Sequence, residues 1–174
     1  MAIPARSVLG LLRHARRWPS HAAYLDMRSH KRPISVLVVI HTPDWQVLLL
    51  ERASHAGYWQ SVTGSQEGDE SLIETARREV EEETGIAAPV SRFVDWQITN
   101  TFEIFAEWRY RYAPGITHNT EHVFSLEVPP GQPIRIAPDE HLGFCWRPWR
   151  EAAEQCFSWS NRDAILMLPE RCAR

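Results

Sequence analysis

Lysine is nearly missing from this sequence: of 19 basic residues only Lys31 is one, a bias of composition rather than a functional statement. Cysteine is scarce too. Cys145, Cys156 and Cys172 are odd in number and share no metal-ligand spacing. That argues against a disulfide scaffold and implies unpaired thiols in a reduced, cytoplasmic protein. No apolar run approaches the ~18 residues of a membrane span, so no membrane partner is expected. A large excess of one charge is also absent, since the net charge is only −3, which argues against a general nucleic-acid binder. Repeats and low-complexity tracts are not found.

What is present suits one domain, since 174 residues can bury a real core without staples. Charge is distributed unevenly. Residues 1–30 set Arg6, Arg13, Arg16, Arg17 and Arg28 against Asp26, a net +4 that leaves −7 for residues 31–174. The basic stretch is expected to be an extension outside the domain, either a short amphipathic surface helix or upstream sequence with Met27 as the initiator. A disordered arm and a transit-type leader are the competing readings.

From Lys31 onward the pattern is α/β. Ile34–Ile40 is a continuous β-branched run that reads as a strand buried on both faces. The turn signal at 42–44 leads to a second strand, Gln46–Glu51, expected to pair with it antiparallel. Further strands are expected at Pro89–Thr99, Phe102–Tyr112, Glu121–Val128 and His141–Arg147. The second of these alternates Ile104, Ala106, Trp108, Tyr110 and Tyr112 against Glu103, Phe105, Glu107, Arg109 and Arg111, as a strand with one core face would. Pro148 opens a helix, and Ser160 with Asp163 resembles a capping box for a last helix over 161–168.

The densest chemistry lies in Gly64–Ile86, where eight carboxylates meet two arginines. At ~100° per residue, Glu79, Glu82 and Glu83 share a sector about 100° wide beside the apolar stripe of Leu72, Ile73, Ala76 and Val80. Glu70, Glu74, Glu81 and Arg77 fall on the water side. Clustered like charges destabilise a helix by a few tenths of a kcal/mol per pair, so the stretch is either a solvated acidic face or a cage for a hard cation. With no His or Cys nearby, carboxylate oxygens favour Mg²⁺ or Mn²⁺ over zinc. Arg78, four residues before Glu82, is placed to orient a carboxylate. Gly85 is the helix C-cap, and Gly64 and Gly68 let the preceding loop turn and bring N–H groups toward an anion.

Gly64, Glu70, and Arg78-Glu79-Val80-Glu81-Glu82-Glu83-Thr84-Gly85-Ile86 match the Nudix box, G-x5-E-x7-R-E-U-x-E-E-x-G-U, without a departure. The chain resembles the Nudix hydrolases. KRPISVLVVI, YWQSVTGS, FEIF, RYAPGITHNTE, EHL and SWSNRDAI further resemble segments of the branch that acts on dihydroneopterin triphosphate in bacterial folate biosynthesis. The resemblance implies a Nudix fold, an α/β/α sandwich with a mixed sheet, over 31–174. It implies Mg²⁺ as cofactor, held by Glu79 and Glu83 with Glu82 close by and Glu140 joining from a loop. A box glutamate or Glu140 would act as general base. Lys31, Arg52, Thr63, Phe102, Glu103, Ile104, Phe105 and Ser158 are the implied substrate contacts. The implied partner is a small-molecule triphosphate, and oligomeric state is not indicated. A general dNTP pyrophosphohydrolase and a Nudix-fold ligand-binding regulator are the alternatives. Regulators commonly lose a box glutamate, and this sequence keeps all of them.

Overall fold

The computed structural model describes residues 30–172, so the basic stretch at 1–29 lies outside the described residues. Seven strands form one mixed sheet: β1 Ile34–His41, β2 Gln46–Arg52, β3 Trp59–Gln60, β4 Val62–Ser65, β5 Phe93–Glu103, β6 His118–Glu127 and β7 His141–Pro148. The path is β3-β2-β1-β6-β5, with β4 added to β1 and β7 to β2. β1 is the spine. It runs parallel to β6 along its whole length, from Ile34 opposite Thr120 to His41 opposite Glu127. On its other edge it holds β4 at Ser35–Val38 and meets β2 antiparallel at His41 and Val47. β2 instead pairs with β7 from Gln46 to Arg52.

Alternation along β1 divides the core in two. Val36, Val38 and Ile40 face helix α1 (Leu72–Thr84), packing with Ala76, Val80, Phe124 and Leu126. Leu37 and Val39 face the other way, toward α2 (Trp149–Gln155), α3 (Trp159–Leu166) and α4 (Leu168–Cys172), joining Val123, Ala152, Ala153, Ile165 and Leu168. A strand with the unbroken apolar run Val36–Ile40 therefore needs helices on both faces, and the α/β/α sandwich with a mixed sheet is what forms. Among the described residues no helix is long and apolar enough to cross a membrane. The three cysteines are unpaired.

Three expectations are corrected. Phe102–Tyr112 is not a strand. β5 continues to Glu103, with a register shift against β6 between Asp95 and Thr99, and residues 106–111 form a 3₁₀ helix. Ile104 N–H donates the last rung to Thr117 C=O at 2.8 Å. Beyond it β6 has not yet begun, so the alternating residues have no partner ladder. Local bonds take over: Arg109 Nε donates to Ile104 C=O at 3.1 Å and its guanidinium pairs with Glu103. Tyr110, expected to face inward, is 81% exposed. The second correction is the cap of α3, which is Ser158 and not Ser160; its Oγ accepts from Asn161 N–H at 3.3 Å. Third, the strand expected at 89–99 starts after a 3₁₀ turn at Val90–Arg92.

Candidate active site

α1 places most of the charged groups. At its start Ser71 N–H and Oγ both donate to Glu74 Oε2, at 2.8 and 2.6 Å. Gly85 ends it at φ 71°, donating to Glu81 C=O at 2.9 Å. Between these caps Ala76 and Val80 are fully buried against the sheet. Glu79 and Glu83, on the neighbouring stripe, are buried as well, while Glu82 keeps 57% of its side chain exposed. Glu81 pairs with Arg77 on the water side. Gly64 explains how Glu79 enters: a Cβ there would sit 1.7 Å from Glu79 Cδ. Its glycine thus serves close approach within β4 and not a turn, a correction; the turn belongs to Gly68, at φ 48°.

Arg78 is the hub of the acids. It takes Glu70 through Nε and Nη2 at 3.1 and 2.7 Å, and through Nη1 it reaches Glu79 at 2.9 Å and Glu82 at 3.0 Å. Its Nη2 also donates to Ser65 C=O at 3.1 Å. Glu70, expected on the water side, precedes the helix and folds back onto Arg78, whose hydrogen bonds hold its carboxyl down to about 2. One guanidinium fork therefore fixes three carboxylates in relation to the sheet.

The deepest group is Glu83. Desolvation drives its carboxyl upward, opposed by His141 and Arg52. Glu79 is pushed up to about 7, by burial first and then by Glu83 and Glu82, with Arg78 working against them. One ligand atom each from Glu83, Glu140 and His141 lies within 4.8 Å of the others. His141 Nε2 stands 3.1 Å from Glu83 Oε2, yet neither atom completes a hydrogen bond. The expectation of no histidine near the acids is corrected here: Glu140-His141 arrives from the turn before β7, a distance in sequence that no helical phasing reveals. Buried, like-charged and incompletely partnered oxygens are the environment that a divalent cation relieves.

All twelve site residues expected from the sequence line one cleft of about 640 Å³. Glu79, Glu82, Glu83 and Glu140 occupy its acidic side. Lys31 and Arg52 bring cations to the same space. Burial and Arg111 lower the Lys31 ammonium, which Glu79 and Glu140 pull back up. Arg52 Nη1 donates to Gln60 Oε1 at 2.8 Å, and Gln60 in turn donates to Thr63 Oγ1 at 3.1 Å. Arg52 Nε is buried with no partner. Phe102, Glu103, Ile104 and Phe105 come from the end of β5, and Ser158 from the cap of α3. Among these four, Ile104 is buried and Phe105 is 55% exposed.

Several lining residues escaped the sequence reading. Trp108 stands under the Arg52 guanidinium, 5.3 Å from its ring centroid, and packs edge-on against Phe105 at 5.1 Å. Arg111 adds a further cation, and Asn119 and Glu121 add buried polar groups from β6. The alternation in 102–112 pointed to a strand and hid Trp108 and Arg111; their aromatic and cationic character was the available signal.

Known proteins resemble this chain in sequence and in structure. The family model for the NUDIX domain matches residues 31–168. The dihydroneopterin triphosphate diphosphatase of Escherichia coli K12 is 46% identical over 139 residues, covering 78% of this chain and 91% of its own. The Haemophilus influenzae protein of the same name is 42% identical over 142 residues, covering 80% and 89%. The solved structure of the E. coli dihydroneopterin triphosphate pyrophosphohydrolase superposes with a TM-score of 0.73 at 45% identity, covering 78% of this chain and 94% of that one.

Proposed function

The chain belongs to the NUDIX family, and from that premise we propose that it hydrolyses 7,8-dihydroneopterin triphosphate to dihydroneopterin monophosphate and pyrophosphate. We place the reaction in the cytoplasm, in folate biosynthesis, with Mg²⁺ as the metal and Mn²⁺ as a substitute. The observation that carries this reading is the 46% identity to the diphosphatase across 78% of the chain. It is supported by the gathering of the acidic cluster, the cations Lys31, Arg52 and Arg111, and an aromatic wall in one cleft.

Glu79, Glu83 and Glu140 would hold the metal, with Glu82 beside them and Arg78 fixing the orientation of Glu79 and Glu82. Once bound, the cation supplies offsetting charge for phosphate oxygens and Lewis-acid polarisation. Lys31, Arg52 and Arg111 bind the remaining phosphate oxygens and set the chain of phosphates against the acids. Phe102 and Phe105 stack against the flat ring, and Thr63, Glu103 and Ser158 add polar contacts. The proton of the attacking water passes to the carboxylate group formed by the box glutamates and Glu140. These acids titrate as a coupled set, so the base is the set and not one member.

The test is kcat/KM for hydrolysis, with magnesium, of dihydroneopterin triphosphate, dATP, 8-oxo-dGTP, ADP-ribose and diadenosine tetraphosphate, scoring pyrophosphate for the three triphosphates and the phosphate monoesters or nucleotides formed for the other two. The pterin is expected to lead by at least about tenfold, or roughly 1.4 kcal/mol in transition-state stabilisation. Comparable values for the pterin and the nucleotides would replace this reading with a general dNTP pyrophosphohydrolase.

A further inference from the structure

Two arginines line the cleft wall in different ways. Arg78 is engaged by three carboxylates. Arg52 instead donates from Nη1 to the neutral Gln60 Oε1 at 2.8 Å, while its Nε is buried with no partner. A buried guanidinium donor without an acceptor is one that a ligand can satisfy. The further support of Arg52 is aromatic. Its Cζ lies 5.3 Å from the centroid of the Trp108 ring, inside the ~6 Å over which an indole face attracts a cation.

Trp108 is itself fixed from several sides. Its ring meets Phe105 edge-on at 5.1 Å and His55 edge-on at 5.5 Å. His55 belongs to the turn that follows Arg52, and its N–H donates to Arg52 C=O at 3.3 Å, so one turn supplies both the guanidinium and a brace for the ring beneath it. The 3₁₀ helix that carries Trp108 is pinned as well. Trp108 N–H donates to Phe105 C=O at 2.9 Å, Arg109 Nε to Ile104 C=O at 3.1 Å, and Lys31 N–H to Arg111 C=O at 2.8 Å. The indole is therefore a fixed platform within an irregular segment.

We infer that Trp108 is a positioning residue for phosphate binding: its indole holds the Arg52 guanidinium in the cleft, in place for the polyphosphate, and raises affinity for that anion without touching it. An arginine that must order itself on an anion loses part of its affinity to the rotamer entropy it gives up. Charge adds to the need for support, since Arg111 works against the charge on Arg52. The inference rests on the proposed pyrophosphohydrolase reading for the place of the phosphates. It is indifferent to the ring they carry, and it adds a residue outside both the box and the implied substrate contacts.

The test is a double-mutant cycle read on binding. Dissociation constants for inorganic pyrophosphate with magnesium are measured by calorimetry on wild type, Trp108→Leu, Trp108→Phe, Arg52→Gln and Arg52→Gln/Trp108→Leu, with melting temperature as the control for folding. Trp108→Leu keeps an apolar side chain but removes the π face, and is expected to weaken pyrophosphate by about five- to tenfold. Trp108→Phe keeps a π face and is expected to stay within about threefold of wild type. Arg52→Gln is expected to lose at least about tenfold, and Trp108→Leu added to it less than about twofold more. The same loss in both backgrounds would make Trp108 merely structural and overturns the inference. Wild-type affinity in Trp108→Leu, or equal losses in the leucine and phenylalanine variants, overturns it too. Hydrolysis of dihydroneopterin triphosphate by wild type is scored separately. Turnover of the pterin with additive losses refutes the positioning role and leaves the proposed activity standing. Non-additive losses without turnover of the pterin refute the activity and leave the positioning role standing.

Discussion

Gly64→Ala puts one methyl group where Glu79 now lies. The added Cβ would stand 1.7 Å from Glu79 Cδ, 1.9 Å from Oε1 and 2.3 Å from Cγ. Ordinary carbon contacts are about 3.5–4.0 Å, so the carboxylate must retreat by roughly 2 Å. It has little room, since Arg78 holds it at 2.9 Å and the residue is buried. Displacing a catalytic group by about 1 Å can cost on the order of 10²-fold, and overpacking costs about 1–3 kcal/mol of stability. The expected result is a folded protein with kcat/KM down by at least about 10²-fold and weakened magnesium dependence, measured by pyrophosphate release across a magnesium titration. Gly143→Ala is the control, because a Cβ there meets nothing within 4 Å. A Gly64→Ala protein with wild-type kcat/KM and wild-type magnesium affinity would refute the placement of Glu79 in the cation site.

Removing magnesium should make stability depend on pH in a definite sense. Glu79 titrates at about 7 in the folded state against an ordinary 4.5. Its contribution is therefore fully present below about 4.5 and lost as pH rises through 7. Glu70, held at about 2, acts in the opposite sense, its contribution present above 4.5 and lost on acidification. Thermal melts with chelator should peak near pH 5 and fall by several degrees toward pH 8, and magnesium should restore the loss; a flat profile would contradict it. Glu83→Gln should keep the fold and lower kcat by roughly 10²-fold or more, read in a single-turnover assay, with unchanged turnover as the contrary outcome. Asn161 accepts from Ser61 N–H at 2.7 Å and donates to Ser61 Oγ at 2.9 Å, tying α3 to the segment that leads into β4. Asn161→Ala should cost about 1–3 kcal/mol in denaturant unfolding by orphaning that N–H, and a loss below about 0.5 kcal/mol would refute the tie.

The box was legible because one helix carries it. Helical phasing alone separates Glu79 and Glu83 from Glu81, and the structure buries the first two and exposes the third. Both strands of the Ile34–Glu51 stretch could be read for a similar reason, since the unbroken apolar runs Val36–Ile40 and Val47–Leu50 need cover on both sides. What could not be read depends on strand register. Asn119 reaches Ser35 across 84 residues, and His141 reaches Glu83 from the start of β7. Neither separation leaves a periodic trace. The alternation over 102–112 misled because period two states which side each residue would face, but not whether a partner strand exists to pair with. There β6 begins only at His118, and Arg109 closes the segment on itself.

The proposed reaction splits a pterin triphosphate between its α and β phosphorus atoms. Phosphorus NMR of dihydroneopterin triphosphate, followed as magnesium is added to the protein, reads that bond directly. The account predicts that the three triphosphate resonances are replaced by pyrophosphate and a monophosphate ester in equal amounts, with no turnover before magnesium. Orthophosphate with a diphosphate ester, or an unchanged triphosphate in the presence of magnesium, would contradict it.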